Sequence, residues 1–350
     1  MSWTPPEPGP GPTPSWQPPP AAPAPPSWYP APPPGPALAG PAEAWVPRPY
    51  SQLLRGPAHR WWRPLASLGV LLVSIGVLLF ALGLVAGVLL AVVGAVDAGT
   101  TDQEFDAWSI TPGGFLATNL FLAAFIPLAQ VAVWAGHGWR PRWVASVRPG
   151  LRWRWTATAT LAALLVFGPL MAVLVLLSGE DGTPERDAAL LLLVVLLTTP
   201  LQAAGEEYLC RGWLTQAIGS LVPRAAVGAV VAALVSATVF AFAHGQQDPW
   251  LFADRFAFGL VASWLVWRTG GLEAAIAVHT VNNVVAFVPT ILLGQLADAL
   301  TVTEGDPVTT VVDVASLVAV ALILDRLARR RRLQRLFEPP GTRALVPPRI

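Results

Sequence analysis

Uncharged apolar runs long enough to cross a bilayer recur along this chain and constrain its fold more than any other feature. A span needs about 20 predominantly apolar residues. Candidates lie at about residues 66–96, 114–136, 156–178, from 188, 225–244, 255–267, 272–293 and from 310. The composition agrees, since 54% of the residues are hydrophobic and 12% are charged. Because lipid offers no partner to backbone groups, these runs must be helical. We predict an all-α, polytopic transmembrane bundle of about eight spans, the sixth of them short.

Charges between the runs predict how the spans are oriented. Acidic loops follow the first, third and seventh runs, whereas arginines gather after the second run and beyond the eighth. Cytoplasmic loops are the ones enriched in basic residues. We therefore expect both termini to lie inside. All 22 basic residues are arginine, a bias typical of a GC-rich genome, which favours a bacterial cytoplasmic membrane.

Two basic segments have alternative interpretations. The loop after the second run combines arginines with tryptophans, as expected at lipid headgroups; these are Arg140, Arg142, Arg148, Arg152, Arg154, Trp139, Trp143, Trp153 and Trp155. Single-stranded nucleic acid attracts a similar mixture, but a net charge of +1 and two flanking spans argue against a nucleic-acid partner. The arginine cluster at residues 326–335 could bind anionic lipid. A stop-transfer anchor explains it more simply.

The first part of the chain differs sharply from the rest. Of 37 prolines, 20 fall within residues 1–50, where no apolar periodicity could support a core. No basic segment followed by an apolar stretch marks a signal peptide. We predict a disordered, Pro-rich cytoplasmic tail, either solvated or recognised by a Pro-binding partner. The predicted organisation is this tail at 1–58, N-terminal transmembrane helices at 59–187, a catalytic core at 188–290, the last transmembrane helix with its basic anchor at 291–336, and a C-terminal tail at 337–350.

Ionisable residues within the apolar runs are candidate functional residues, because each is costly at membrane depth. The fourth run contains Glu206, Glu207 and Arg211, preceded by Pro200 and Gly205, which can bend or loosen a helix. Glu207 and Arg211 are four residues apart in the favourable order for a helical ion pair. Glu206 is rotated away from that face. We predict that Glu207 supports Arg211 and that Glu206 is free to act on water.

Two histidines and an asparagine complete the polar set. His244 ends the fifth run, four residues after Phe240, and His279 begins the segment that reaches Asn283. A single histidine in an apolar run is usually a hydrogen-bonded core residue, but these polar groups can satisfy one another only by converging inside the bundle. A straight fifth span would put His244 about 30 Å from its inner end, at a different depth from Glu206. We expect the groups to meet and the span boundaries to differ.

This set of residues permits three chemistries. A carboxylate and an imidazole can activate water while a second imidazole and an amide stabilise an oxyanion. Alternatively, Glu206, His244 and His279 could hold a divalent metal such as zinc, although no HExxH motif is present. Cys210 could act as a nucleophile, but it lies off the Glu206 face, and a single buried thiol is usually inert.

The motifs resemble those of a known family, the CAAX protease and bacteriocin-processing (CPBP) intramembrane proteases, also called ABI-domain proteins. The family's EExxxR motif corresponds to residues 206–211, its FxxxH motif to Phe240 through His244, and its HxxxN motif to His279 through Asn283. The match covers about residues 188–288. Three motifs in order within membrane spans are specific together, although each is weak alone.

The resemblance implies an intramembrane endopeptidase related to type II CAAX prenyl endopeptidases. It implies that Glu206 activates water with His244, that His279 and Asn283 stabilise the oxyanion, and that Glu207 and Arg211 are supporting residues. Family members are described as metalloproteases, and a metal-free glutamate mechanism has also been argued. Substrates would be peptides or membrane proteins, and the bacterial character makes prenylated ones less expected. The alternatives are an ion-coupled transporter, for which no internal repeat is evident, and a non-catalytic membrane scaffold.

Overall fold

A computed structural model of the chain describes residues 47–56, 59–93, 108 and 110–338. Within these residues, eight helical segments are long and apolar enough to cross a membrane, judged by length and composition. The predicted all-α architecture and number of spans are thereby confirmed. The Pro-rich tail as far as residue 46, and the C-terminal tail from residue 339, lie outside the described residues.

Eleven α-helices form within the described residues. They are α1 Arg63–Val93, α2 Pro112–Ala123, α3 Phe125–His137, α4 Trp153–Ser178, α5 Ala188–Glu207, α6 Thr215–Leu221, α7 Ala225–Phe242, α8 Pro249–Thr269, α9 Glu273–Leu293, α10 Leu296–Thr301 and α11 Pro307–Arg330. A π-helix, Tyr208–Leu214, joins α5 to α6, and short 3₁₀ helices form at Tyr50–Gln52 and Pro141–Val144. Two short strands, β1 Arg48–Pro49 and β2 Leu336–Phe337, pair antiparallel.

The fourth span is much longer than its apolar run suggested. Helix α5, the π-helix and α6 form one element, Ala188–Leu221, of 34 residues. Glu206 therefore lies about 15 residues before the turn that leads into α7, or about 22 Å along the helix. His244 lies about 20 residues after that turn, just beyond the end of α7. The apparent conflict in depth came from placing Glu206 near the inner end of its span.

The sixth span is longer than predicted. Helix α8 has 21 residues and begins at Pro249, because the Asp248 side chain accepts a hydrogen bond from the backbone nitrogen of Leu251 at 2.8 Å. The prediction placed this span at residues 255–267, and Asp254 and Arg255 interrupt the apolar pattern at its start. Both charges lie within the first turns of the helix. The guanidinium of Arg255 donates to the side-chain oxygen of Gln247 at 2.7 Å.

The end of the predicted N-terminal tail is folded rather than disordered. Residues 47–56 include strand β1, and the side chains of Tyr50, Leu53 and Leu54 are buried in the main core. The hydroxyl of Tyr50 donates to the carbonyl oxygen of Val144. Aromatic and leucine side chains spaced through this short segment give it enough apolar surface to pack. The tail therefore does not extend to residue 58 as predicted.

The tryptophans of the basic loop lie mostly inside the protein. Trp139, Trp143 and Trp155 are buried, whereas Trp153 is 71% exposed. Phe337 of β2 packs edge-on against the rings of Trp139 and Trp143, with centroids 5.9 and 5.2 Å apart. The prediction that these tryptophans form a headgroup belt is therefore wrong for the three buried ones, two of which pack against β2.

Helices α2 and α5 approach each other closely just before Glu206. A Cβ atom on Gly205 would lie 2.0 Å from the carbonyl oxygen of Leu122, at the end of α2. The side-chain amide of Asn119 donates to the hydroxyl of Thr198 at 2.8 Å, two turns earlier on α5. Gly205 therefore permits close packing next to the carboxylates, and this contact positions Glu206.

Replacing Gly205 by alanine should destabilise the bundle by about 1–3 kcal/mol, because the new methyl group overlaps the backbone of α2. Thermal unfolding of the purified protein in detergent measures the effect. The matched control is Gly76→Ala on α1, where an added Cβ meets nothing within 4 Å. Equal melting temperatures for both variants would contradict the proposed close contact.

Candidate active site

The two glutamates end a regular helix and are followed directly by a π-helix. In the widened turn the carbonyl oxygen of Cys210 accepts from the backbone nitrogen of Thr215, and the hydroxyls of Thr215 and Ser236 also donate to it, each at 3.0 Å. π-Helical segments occur frequently at functional sites. The Cys210 side chain is buried, and its carbonyl oxygen accepts the hydrogen bonds that hold the π-helix in place. The π-helix begins one residue after Glu207 and brings Arg211 back toward it.

Glu207 and Arg211 form the predicted ion pair in the protein interior. Their Oε1 and Nη1 atoms are 2.9 Å apart, and both side chains are fully buried. The Arg211 guanidinium also lies over the ring of Phe240, 4.2 Å from its centroid, and 5.8 Å from that of Phe258. A buried charge is tolerated when it is paired and contacts an aromatic face. The Phe of the FxxxH motif thus contacts the Arg of the EExxxR motif.

His279 lies between the two carboxylates. Its Nδ1 atom is 2.9 Å from Oε1 of Glu207, and its Nε2 atom is 3.6 Å from Oε2 of Glu206. Since a carboxylate only accepts, Nδ1 carries the hydrogen of the shorter contact. Phe258 packs against the imidazole with centroids 4.9 Å apart. The ring is therefore fixed, with Nε2 directed toward Glu206.

Gln202 is a site residue that lies outside the three motifs. Its amide donates to Oε1 of Glu206 at 2.5 Å, and its side-chain carbonyl accepts from the amide of Asn283 at 3.2 Å. The available signal was its position one turn before Glu206 in an apolar run. Asn282 is exposed, whereas Asn283 is half-buried and faces Gln202. The spacing that selected Asn283 therefore identified the inward-facing amide.

His244 lies at the margin of this network. Its Nδ1 atom is 2.7 Å from the carbonyl oxygen of Phe240, so Nδ1 donates and Nε2 is the ring nitrogen left to accept a proton. The Phe240 ring lies 4.6 Å from the His244 ring and 5.7 Å from the His279 ring. The His244 side chain is exposed, whereas His279 is buried. His244 thus lies on the accessible side of the site.

The three side chains considered as metal ligands have other contacts. Glu206 accepts from Gln202, His279 contacts Glu207, and His244 donates to its own helix. Across the part of the chain that the structure describes, no group of three or more His, Cys, Asp or Glu side chains is placed to hold a metal ion. In this arrangement Glu206, His244 and His279 do not form a three-ligand site.

The fold and site together define a helical membrane protein with a buried Glu, His, Asn and Arg network. Residues 188–285 match the family model for type II CAAX prenyl endopeptidase Rce1-like proteins. The members of that family are CAAX-type intramembrane proteases, which hydrolyse peptide bonds. The match confirms the family resemblance carried by the three motifs, all of which fall within the matched segment. With eight apolar helices among its described residues, the chain is an integral membrane protein.

One curated protein is similar to part of this chain. The chain is 28% identical over 125 residues to the uncharacterized protein YyaK of Bacillus subtilis, covering 33% of this chain. The chain spans about two fifths of the length of that relative, 41%. No solved structure matches the chain.

The two adjacent glutamates should differ in what they contribute to stability. Replacing Glu207 by glutamine leaves the fully buried Arg211 without its counter-charge, which typically costs about 3–5 kcal/mol. Replacing Glu206 by glutamine leaves that ion pair intact and should change stability by less than about 1 kcal/mol. Unfolding temperatures of the two isosteric variants in the same detergent provide the comparison. An equal fall in unfolding temperature in both variants would show that the Glu207–Arg211 pair contributes no more to stability than Glu206 does.

Proposed function

We propose that this protein is an intramembrane endopeptidase in which Glu206 activates the attacking water. The observation that carries the proposal is the different engagement of two adjacent carboxylates. Glu207 is buried and committed to Arg211 and His279, whereas Glu206 is held by a neutral amide and its side chain is 16% exposed. A positioned, accessible carboxylate beside a fixed imidazole is what a general base for hydrolysis requires.

In the proposed reaction, water binds between Glu206 and the scissile carbonyl. Glu206 removes a proton as the water oxygen attacks the carbonyl carbon, forming a tetrahedral intermediate with a negatively charged oxygen. Collapse of the intermediate breaks the carbon–nitrogen bond, and the proton passes to the leaving amine. Gln202 supports this role because its hydrogen bond holds one carboxylate oxygen, leaving Oε2 for the water.

Two groups are proposed to stabilise the oxyanion. The amide nitrogen of Asn283 carries two hydrogens, of which one is donated to Gln202, so the other can reach a substrate oxygen. His279 donates its Nδ1 hydrogen to Glu207, so it can donate from Nε2 only when it carries a second proton. Asn283 is therefore the proposed constant donor, and His279 contributes in its doubly protonated form. Such donors typically contribute 10²–10³-fold to the rate.

His244 is proposed to act on the same water or on the departing amine. Its Nδ1 hydrogen is committed to the Phe240 carbonyl, which leaves Nε2 to receive and return a proton. Its exposed position beside the network supports a place between the site and the approaching substrate. We infer that the substrate is a peptide segment of a membrane protein or a membrane-bound peptide. We further infer a bacterial cytoplasmic membrane with both termini inside.

The Glu206→Gln variant tests the proposal, because it keeps the shape of the side chain and removes the base. We expect cleavage to fall by at least about 100-fold, measured by comparing peptide termini in membranes of a deletion strain complemented with wild-type or variant protein. Glu304→Gln, an exposed residue in a connecting loop, is the matched control. Termini that persist with Glu206→Gln at wild-type expression would refute the proposal. Glu206-dependent ion flux in proteoliposomes without altered termini would identify a transporter.

Gln202→Ala tests the positioning of that base. Without the amide, Glu206 can adopt orientations that do not face the water, and we expect kcat to fall about 10-fold to 100-fold with little change in KM. The measurement uses a peptide spanning a cleavage site found in the membrane comparison. Gln295→Ala, which removes a half-buried glutamine whose side chain forms an exposed hydrogen bond with Glu180, should leave both constants unchanged. A rise in KM with kcat unchanged would make Gln202 a substrate-binding residue instead.

A further inference from the structure

An open groove lined by apolar and aromatic side chains lies between helices α8 and α11. Its volume is about 250 Å³, and it is lined by Leu260, Val261, Trp264, Val318, Ala321 and Leu322. None of these side chains belongs to the Glu206 network. The two helices run in the same direction, since Asp248 before α8 accepts from the backbone of Gly305, near the start of α11, at 2.9 Å. The C-terminal ends of both helices therefore lie on the same side of the bundle, where Arg268 of α8 meets Asp325 of α11.

Near the C-terminal ends of α8 and α11, one buried aspartate is surrounded by three arginines. Asp325 is 1% exposed and accepts from Arg268 at 2.7 and 3.1 Å. Arg329 bonds to the same carboxylate, and Nη2 of Arg335 lies 3.8 Å from it. Three positive charges around one negative charge leave an excess of two in this cluster. Arg329 and Arg335 retain 61% and 31% side-chain exposure, so their remaining donors are accessible.

The basic cluster is continuous with the groove. The Arg268 guanidinium lies 5.8 Å from the ring of Trp264, a groove-lining residue one turn earlier on α8. On α11, Asp325 follows the lining residues Ala321 and Leu322 by one turn. An apolar channel that ends at an excess of positive charge is complementary to a molecule with an apolar chain and an anionic head.

We propose that this surface binds an anionic phospholipid, with one acyl chain in the groove and the phosphate paired with Arg268, Arg329 and Arg335. Arginine forks bind phosphate oxygens in pairs. Charge complementarity favours this occupant over a transmembrane helix of a partner, whose apolar surface would leave the two excess charges unmatched. The site thus assigns a specific ligand to part of the C-terminal arginine cluster, separate from its role as a membrane anchor.

The test measures lipid binding to the full-length protein in detergent. Titration with dioleoyl phosphatidylglycerol, followed by native mass spectrometry, should show saturable binding that dioleoyl phosphatidylcholine does not reproduce. The double variant Arg329→Gln, Arg335→Gln should weaken this binding by about tenfold or more, since each arginine near a lipid charge contributes about fivefold. The matched control is Arg326→Gln, Arg330→Gln, which removes two exposed arginines of the same helix that are not bonded to Asp325 in the described contacts.

Two further measurements make the result decisive. Val318→Trp, which fills the groove without touching the arginines, should weaken binding of the lipid, and its melting temperature in phosphatidylcholine checks that it folds. Equal weakening by both double variants would overturn the proposal in favour of a non-specific basic surface. Two results would overturn the acyl-chain part of the proposal and leave an anion site. One is undiminished binding of phosphatidylglycerol to Val318→Trp, and the other is displacement of the lipid by inorganic phosphate at equal concentration.

Discussion

The buried pairing of Arg211 with Glu207 is the constraint on which the arrangement of this bundle depends. A guanidinium fully removed from water must have its counter-charge and its aromatic contacts in place at once. These come from different elements: Glu207 from α5, Phe240 from α7 and Phe258 from α8. His279 from α9 then contacts the same carboxylate. One charge thus fixes four helices at a common depth, and Glu206 is positioned by its neighbours rather than by its own contacts with charge.

The core of the site could be predicted because several of its residues lie at helical spacings along the sequence. The spacing of Glu207 and Arg211, and the choice of Asn283 over Asn282, follow from helical geometry. For Gln202 the spacing shows only the contact with Glu206, because its second hydrogen bond, with Asn283, joins two helices that are distant in sequence. The structure adds a second role for Gly205, which was expected only to bend or loosen its helix. Its lack of a side chain serves the approach of α2, which no local pattern reveals.

Span boundaries were the weakest part of the sequence prediction, for a physical reason. Hydropathy detects where charges occur, but a charge can lie within a helix if it finds a partner, as Arg255 does with Gln247. Similarly, α5 continues through the π-helix and α6 although polar residues interrupt the apolar run. The aromatic residues of the basic loop misled for the same reason. Tryptophan beside arginine is typical of a membrane–water interface. Nothing in that pattern reveals that Phe337 of β2 packs against Trp139 and Trp143.

The pairing of β1 with β2 has a consequence for how the bundle is made. Arg48 is translated before any of the described helices, and its partner Phe337 only after all of them. The tryptophan-lined core beneath these strands therefore stays open to water until the last helix has been inserted. Long-range closure of this kind is slow and comes late. A ribosome that stops before residue 337 would release a chain in which all the described spans are present but β1 has no partner strand, a difference that a quality-control protease could recognise.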